Sequence, residues 1–159
     1  MSLELGKKCL LQKNFKDAEK IFLDLSKNNN TFEINYNLGV INFELRNIKK
    51  SLQFFEKCKK IDPKSLNTYL KIAYLEQSIG NIEKSLSAYL KVLDINIRDI
   101  RAYYGIFSLN PNFLKTHHFE VIKQINDNPS VNILEKFLSK FLLSKKEKNE
   151  RNFEKELAF

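Results

Sequence analysis

The sequence repeats itself at an interval of 34 residues, and no other feature constrains the fold as strongly. A shift of 34 brings eight positions into register: Leu38 with Ile72, Gly39 with Ala73, Asn47 with Asn81, Ile48 with Ile82, Ser51 with Ser85, Leu52 with Leu86, Phe55 with Tyr89 and Ile61 with Ile95. A shift of 33 aligns an earlier copy, with Gly6 on Gly39 and Phe22 on Phe55. Each copy is therefore expected to form one supersecondary unit that stacks on the next.

Each copy divides into two segments whose apolar residues recur at helical spacing. In the second copy, Ile48, Leu52 and Phe55 lie on one face of the second segment, which ends before Pro63. Residues 36–45 of the first segment are apolar around most of the helix, which predicts packing on both sides. The repeat therefore predicts a pair of helices.

Short polar breaks at Arg46-Asn47 and Gly80-Asn81 predict tight turns between antiparallel helices. Small residues recur at two positions of the repeat, where they let helix backbones approach closely: Gly39, Ala73, Ala18, Ser51 and Ser85. The pattern favours helical hairpins with a close contact inside each pair.

The composition agrees with an all-α chain and excludes several classes of protein. Four glycines and three prolines are too few for the frequent turns of a β-sandwich or barrel. No apolar run reaches the roughly 18–20 residues of a membrane helix, and the first residues lack the pattern of a secretory signal, so a cytoplasmic protein is expected. Cys9 and Cys58 form no CxxC pair, which argues against a zinc module or a disulfide framework. The net charge of +8 indicates affinity for acidic partners.

The residues at the repeated positions resemble the tetratricopeptide repeat family. Its pattern of Leu-Gly, small and aromatic residues is matched by three copies: Leu5-Gly6, Ala18 and Phe22, then Leu38-Gly39, Ser51, Phe55 and Pro63, then Ile72-Ala73, Ser85 and Tyr89. The resemblance implies a right-handed superhelix of antiparallel helix pairs, an α-solenoid. Its regular repeats are expected at about residues 1–31, 32–65 and 66–99.

The pattern decays after residue 98. Residues 99–128 are expected to form a degenerate fourth helical pair, whose second helix covers 114–125. Residues 129–159 are expected to form a long helix that starts near Pro129, followed by the start of a truncated repeat at Asn152. An apolar stripe marks this helix: Val131, Leu134, Leu138, Phe141 and Leu142. Val131, Leu138 and Phe141 need cover, which predicts a homo-oligomer through the C-terminal helices.

The family's concave face, formed by the first helix of each pair, implies a peptide-binding surface. The resemblance places nine residues on it: Tyr36, Asn37, Val40, Asn67, Leu70, Lys71, Tyr74, Arg101 and Tyr104. Lys7 and Glu33 belong to the same face. Aromatic rings provide apolar area, and Asn side chains can pair with a peptide backbone.

One branch of the family grips a C-terminal carboxylate with a Lys/Asn/Asn/Lys/Arg set. Asn37, Lys71 and Arg101 match it, but Leu3 and Lys7 stand at its first two positions. Because the set is incomplete, chaperone-tail binding is not assigned.

No residues suggest catalysis, a cofactor or a metal site. The sequence has no Gly-rich phosphate loop and no nucleophile elbow. His117 and His118 are adjacent, so on a helix they point about 100° apart, and His118 is expected to be a half-buried packing residue. Cys9 and Cys58 are expected to be packing thiols.

Nucleic acid is not an expected partner, because residues 145–151 alternate in charge, although Lys49-Lys50 and Lys57 to Lys60 are more one-sided. The sequence thus predicts a non-enzymatic scaffold that binds a protein or peptide and has no membrane as a partner. One alternative is the leading part of a longer enzyme: residues 103–159 loosely resemble the region that joins such repeats to a sulfotransferase domain in bacterial proteins. The other is a self-associating module.

Overall fold

The computed structural model describes the backbone of residues 2–157 and the side chains of residues 2–149 and 151. Within that backbone there are nine α-helices, one 3₁₀ turn and no strand, so the predicted all-α fold is confirmed. The helices are α1 (Leu3–Leu11), α2 (Phe15–Asn28), α3 (Phe32–Glu44), α4 (Ile48–Ile61), α5 (Leu66–Ser78), α6 (Ile82–Ile95), α7 (Ile100–Leu109), α8 (Thr116–Asp127) and α9 (Ile133–Leu157), with the 3₁₀ turn at Pro111–Phe113. They form two units, unit 1 (Met1–Ile79) and unit 2 (Gly80–Phe159).

Unit 1 consists of two helical hairpins and a fifth helix. Helix α1 packs on α2 and α3 on α4, while α2 also packs on α3 and α4 on α5. Side-chain oxygens of Ser2, Thr31 and Ser65 accept hydrogen bonds from the first turns of α1, α3 and α5. These caps satisfy amide groups that a helix start leaves without a partner.

The turns inside the hairpins use residues in the left-handed region. Lys13 has φ 58° and Arg46 has φ 62°, and the Asn that follows each donates its backbone N–H to a carbonyl five residues earlier. These bonds close the ends of α1 and α3. The predicted helix-breaking turn at Arg46-Asn47 is confirmed, and Gly80, at φ 82°, follows α5 in the same conformation.

Small residues bring the helices of each hairpin together, as predicted. The ring of Phe55 lies against the backbone of Gly39, and the ring of Phe22 lies in the same way against Gly6. The hydroxyl of Ser51 donates a buried hydrogen bond of 2.7 Å to the carbonyl of Gly39. Hence α3 and α4 are in contact through both an aromatic ring and a polar group. A buried cluster on the other side of α3 joins it to α2: Ala18, Phe22, Ile34, Leu38 and Ile41.

Unit 2 is less regular. Helix α7 packs on α6 and on α9, and α8 packs on α9. The ring of Tyr89 lies directly against the backbone of Gly105. The second helix of the fourth pair begins at Thr116, not at residue 114, since the 3₁₀ turn at Pro111–Phe113 occupies the preceding residues.

The long C-terminal helix begins later than predicted. The side chain of Asn132 accepts a bond from the N–H of Glu135, and the carboxylate of Glu135 accepts one from the N–H of Asn132. This reciprocal cap starts α9 at Ile133, whereas Pro129 lies in the turn before it. The backbone of α9 continues to Leu157 through the expected start of a truncated repeat. The side chains of residues 152–159, on which that expectation rests, lie outside the described residues.

The prediction that Val131, Leu138 and Phe141 lack cover is wrong. Leu138 and Leu142 are buried, and Val131 is half-buried. The ring of Phe141 packs on Tyr104 at 5.8 Å and on Phe107 at 6.2 Å between centroids. The apolar side chains that α9 exposes are instead Ile133, Leu134 and Phe137.

Candidate functional site

The candidate site is a surface of unit 1 that we call the α3–α5 surface. It is formed by the helix faces opposite the buried residues of α3 and α5. Its members are Tyr36, Asn37, Val40 and Phe43 on α3 and Asn67, Leu70, Lys71 and Tyr74 on α5. Seven of these eight residues were predicted from the sequence.

Its best-defined feature is a contact between three side chains of the two helices. The ring of Tyr74 meets the ring of Phe43 nearly edge-on, at 78° and 5.7 Å between centroids. The ammonium of Lys71 lies 5.9 Å from the centroid of the Phe43 ring. Tyr74 remains 52% exposed, so a large aromatic area faces solvent beside a cation. We call these three residues the aromatic–lysine patch.

Phe43 was not among the predicted site residues. Its spacing from Tyr36 and Val40, at i, i+4 and i+7, places all three on one side of α3. That spacing could have identified Phe43, but the many other apolar residues of α3 obscure it. Only the contact with Tyr74 distinguishes Phe43 from a packing residue.

Tyr36 is held more firmly than a surface residue. Its ring stacks on Phe32 at 5.7 Å and meets Phe55 edge-on at 5.4 Å. The residue is half-buried, as are Asn37 and Val40 next to it. Tyr36 therefore supports the floor of the α3–α5 surface and offers only part of its ring to solvent.

The charges along this surface differ in how they are paired. Lys7 of α1 forms an ion pair of 2.5 Å with Glu33 of α3, and both side chains are about half exposed. Lys71 forms no ion pair within the described part of the chain. It is thus a cation of the α3–α5 surface that can still neutralise an acidic group of a ligand.

The two predicted site residues of unit 2 are engaged in contacts of their own. The guanidinium of Arg101 donates two bonds to the carboxylate of Asp99, from Nε at 3.0 Å and from Nη2 at 2.5 Å. The same carboxylate caps α7 by accepting the N–H of Arg101. Tyr104 packs on Phe141 of α9 and is 42% exposed. Both side chains therefore stabilise unit 2 and have less freedom to contact a ligand.

His117 and His118 lie closer together than helix geometry suggests. Their Nε2 atoms are 3.0 Å apart, since the side-chain rotamers turn the rings toward each other. Nδ1 of His118 accepts the N–H of Lys115 at 2.9 Å, so neutral His118 carries its proton on Nε2 and donates it to His117. This tautomer offers no lone pair on His118 Nε2 to a metal.

His118 is half-buried beside the ring of Tyr103, as predicted. Partial burial lowers its pKa, and the charges of His117 and Lys115 lower it further. The described residues contain no group of three or more His, Cys, Asp or Glu side chains that could hold a metal ion.

The two thiols occupy packing positions. Cys58 is fully buried, its Sγ is 3.7 Å from the carbonyl oxygen of Phe32, and burial raises its pKa to about 12. Cys9 is half-buried against the core cluster of unit 1. Across residues 2–157, no helix combines the length and apolarity required to cross a bilayer.

Comparison with known proteins supports the repeat. The model of the tetratricopeptide repeat matches residues 32–65 and 66–96, which correspond to the second and third predicted copies. No curated protein matches the sequence significantly.

Several solved structures share the fold. MamA from Desulfovibrio magneticus RS-1 has a TM-score of 0.69 at 18% identity, over 80% of this chain and 75% of that one. The first TPR of Spaghetti (RPAP3), bound to the HSP90 peptide SRMEEVD, has a TM-score of 0.64 at 13% identity, over 69% and 88%. PcrH, in complex with the chaperone binding region of PopD, has a TM-score of 0.62 at 15% identity, over 70% and 90%. The chain is therefore similar in sequence to the tetratricopeptide repeat over residues 32–96, and its all-α fold is that of proteins built from this repeat.

Proposed function

We propose that this protein is a non-enzymatic scaffold that binds a peptide or a partner helix on the α3–α5 surface. The observation that carries the proposal is the aromatic–lysine patch, in which Tyr74 is half exposed against Phe43 and next to the cation of Lys71. A large aromatic side chain held in one position offers apolar contact area at a low cost in conformational entropy.

Two proteins of the same fold are recorded with bound segments. Spaghetti is bound to an HSP90 peptide, and PcrH to the chaperone binding region of PopD. Both observations belong to those proteins, and they support the class of function rather than a particular ligand.

The chemistry of the α3–α5 surface indicates what it would select. An aliphatic or aromatic side chain would pack on Tyr74 and Phe43, and an acidic group beside it would approach Lys71. The amides of Asn37 and Asn67 suit the backbone of an extended segment. A ligand with an apolar residue next to Asp or Glu is therefore favoured.

The test is to select peptides from a random library on the intact chain and measure their affinity for variants. Tyr74→Ala and Lys71→Ala should each weaken the selected peptide about tenfold, since each removes on the order of 1.4 kcal/mol of contact energy. The matched control is Leu11→Ala with Lys20→Ala, which removes an exposed apolar side chain and an exposed lysine elsewhere in unit 1. Circular dichroism should show the same helix content in all variants. Unchanged affinity in both patch variants would refute the assignment of the α3–α5 surface.

Self-association is a second candidate, favoured by the apolar side chains of α9. Ile133 is 90% and Phe137 is 63% exposed, and Leu134 lies beside them. A second copy of the chain could cover these side chains. Phe137→Glu should then lower the mass measured by light scattering, whereas a mass that equals one chain at every concentration would exclude self-association.

Two further expectations stay predictions. The gene sequence beyond Phe159 would test whether a sulfotransferase domain follows, and an immediate stop codon would exclude it. Fractionation of cells would test the cytoplasmic location.

A further inference from the structure

The outer face of α4 carries an unusual concentration of lysines. Residues 48–64 hold six lysines and only two acidic residues. The net charge of this segment is therefore +4, which is half of the net charge of +8 of the whole chain. Four of these lysines, Lys49, Lys50, Lys57 and Lys60, are exposed on α4. At 100° per residue they fall within an arc of about 100°, and from first to last they extend about 16 Å along the helix. We call them the α4 lysine face.

The positive charge of this face is not neutralised within the described part of the chain. The ion pair that α4 contains joins Lys59 to Glu56, and Lys59 lies outside the face. Lys57 places its ammonium 5.0 Å from the ring centroid of Phe54, which leaves its charge in place. By contrast, α2 alternates basic and acidic residues, and its Lys27 is paired with Asp24.

The composition of the face discriminates between anionic partners. Lysine is depleted at protein–protein interfaces, whose centres are usually apolar. The exposed side chain that lies between these lysines is the polar Gln53, so the face lacks the apolar centre of a protein interface. The aromatic ring next to these lysines, that of Phe54, is half-buried with the ammonium of Lys57 over it, so it offers bases little area on which to stack. A layer of anionic lipid headgroups requires neither an apolar centre nor an exposed aromatic ring, because the mobile headgroups can move to meet the flexible lysine side chains.

One apolar side chain adds to the argument. Ile61 follows Lys57 by one turn of α4, borders the lysine face and is 46% exposed. Cations flanked by an exposed aliphatic residue are the combination that contacts the headgroup region of a bilayer without spanning it.

From these observations we propose that the α4 lysine face binds an anionic membrane surface. Each lysine near such a surface contributes about fivefold to the partition coefficient. The proposal departs from the expectation that no membrane is a partner, because that expectation rests on the lack of a spanning segment, whereas this contact is made at the surface of the bilayer.

The test is cosedimentation of the intact chain with vesicles of phosphatidylcholine containing about 30% phosphatidylserine, compared with phosphatidylcholine alone. We expect binding only to the anionic vesicles, with a steep loss as salt is raised. Replacement of Lys49, Lys50, Lys57 and Lys60 by Gln should lower the partition coefficient by roughly two to three orders of magnitude. The matched control replaces four other exposed lysines, Lys8, Lys13, Lys16 and Lys20, by Gln and so removes the same charge.

The outcomes separate position from total charge. Loss in the α4 variant, with binding retained within a few fold in the control, supports the proposal. An equal loss in both variants would mean that net charge alone is responsible and would overturn it. Absence of binding to the anionic vesicles would also overturn it. If the chain then bound duplex RNA tightly through the α4 lysines, the partner of this face would be a nucleic acid and not a membrane.

Discussion

Gly39→Ala should destabilise unit 1, because the ring of Phe55 on α4 lies directly against this glycine of α3. A Cβ built on Gly39 lies 2.8 Å from Cζ of Phe55 and 2.9 Å from Cε1 and Cε2. Carbon atoms in ordinary contact are about 3.5–4.0 Å apart, so the ring would have to retreat by about 0.6 Å or more. Phe55 is fully buried and meets Tyr36 edge-on, so the retreat displaces a second ring.

The expected cost follows from two opposing effects. Overpacking a close-packed core costs about 1–3 kcal/mol. Alanine is favoured over glycine inside a helix by about 1 kcal/mol, which offsets part of that cost. Together these two effects leave a net loss in the free energy of unfolding of about 0–2 kcal/mol, and we expect a value in the upper half of that range because the fully buried ring of Phe55 has little room to move. Weakening of the bond from Ser51 to the Gly39 carbonyl, which also joins the two helices here, would bring the loss to the upper end.

Urea unfolding followed by circular dichroism measures this loss, and Phe55→Leu provides the control. The single change Phe55→Leu removes ring atoms and leaves space, so the methyl group that Gly39→Ala adds should then be accommodated. The double variant should be less destabilised than the sum of the single variants, by about 0.5 kcal/mol or more. If Gly39→Ala alone leaves the unfolding midpoint unchanged or raises it, the close approach does not require glycine and the explanation of the repeated small residues is wrong.

Three further predictions concern other parts of the chain. Arg46→Gly should raise the free energy of unfolding by about 0.5–1 kcal/mol in urea titrations, because glycine adopts the positive φ of this turn without strain, and a loss of stability would contradict that reason. His118 has a lower pKa in the folded chain than in the unfolded chain, so its contribution to stability is complete above about pH 6.5. That contribution is lost as the pH falls from there through the lowered pKa, and the free energy of unfolding decreases by at most about 1.4 kcal/mol per pH unit. His118→Gln should remove that part of the pH dependence, measured as the urea midpoint between about pH 5 and 8, and an identical slope in the variant would show that other groups cause it. Cys58 should react with a thiol reagent at about pH 8 only as fast as the chain unfolds, since burial raises its pKa to about 12. The half-buried Cys9 should react first. Equal reaction rates of the two variants that each keep one cysteine would refute this prediction.

Most of the fold could be predicted from local signals. Helical spacing at Ile48, Leu52 and Phe55 and the polar break at Arg46-Asn47 identify a hairpin without knowledge of any distant contact. The start of α9 was misplaced because Pro129 is a strong local signal, whereas the reciprocal cap of Asn132 and Glu135 depends on side-chain geometry.

The candidate site was predictable only as a set of positions. The resemblance to the tetratricopeptide repeat implies that Lys71 and Tyr74 lie on the concave face, but it says nothing about which ring of α3 they meet. Arg101 fits the pattern of a ligand-binding residue, yet it pairs with Asp99, because a carboxylate two residues away is reached at less entropic cost than a partner in solution.

By itself, the amino-acid sequence determined the repeat period, the helix pairs, the glycines and serines at close approaches, and the excess of lysine on α4. These features arise from spacing along one chain segment, which backbone geometry converts directly into a helix face. Only the tertiary structure decided that Phe43 joins Tyr74 and Lys71, that Phe141 covers Tyr104, and that the two histidine rings converge. Such contacts depend on rotamers and on packing between segments far apart in the chain, where many combinations satisfy the same periodicity.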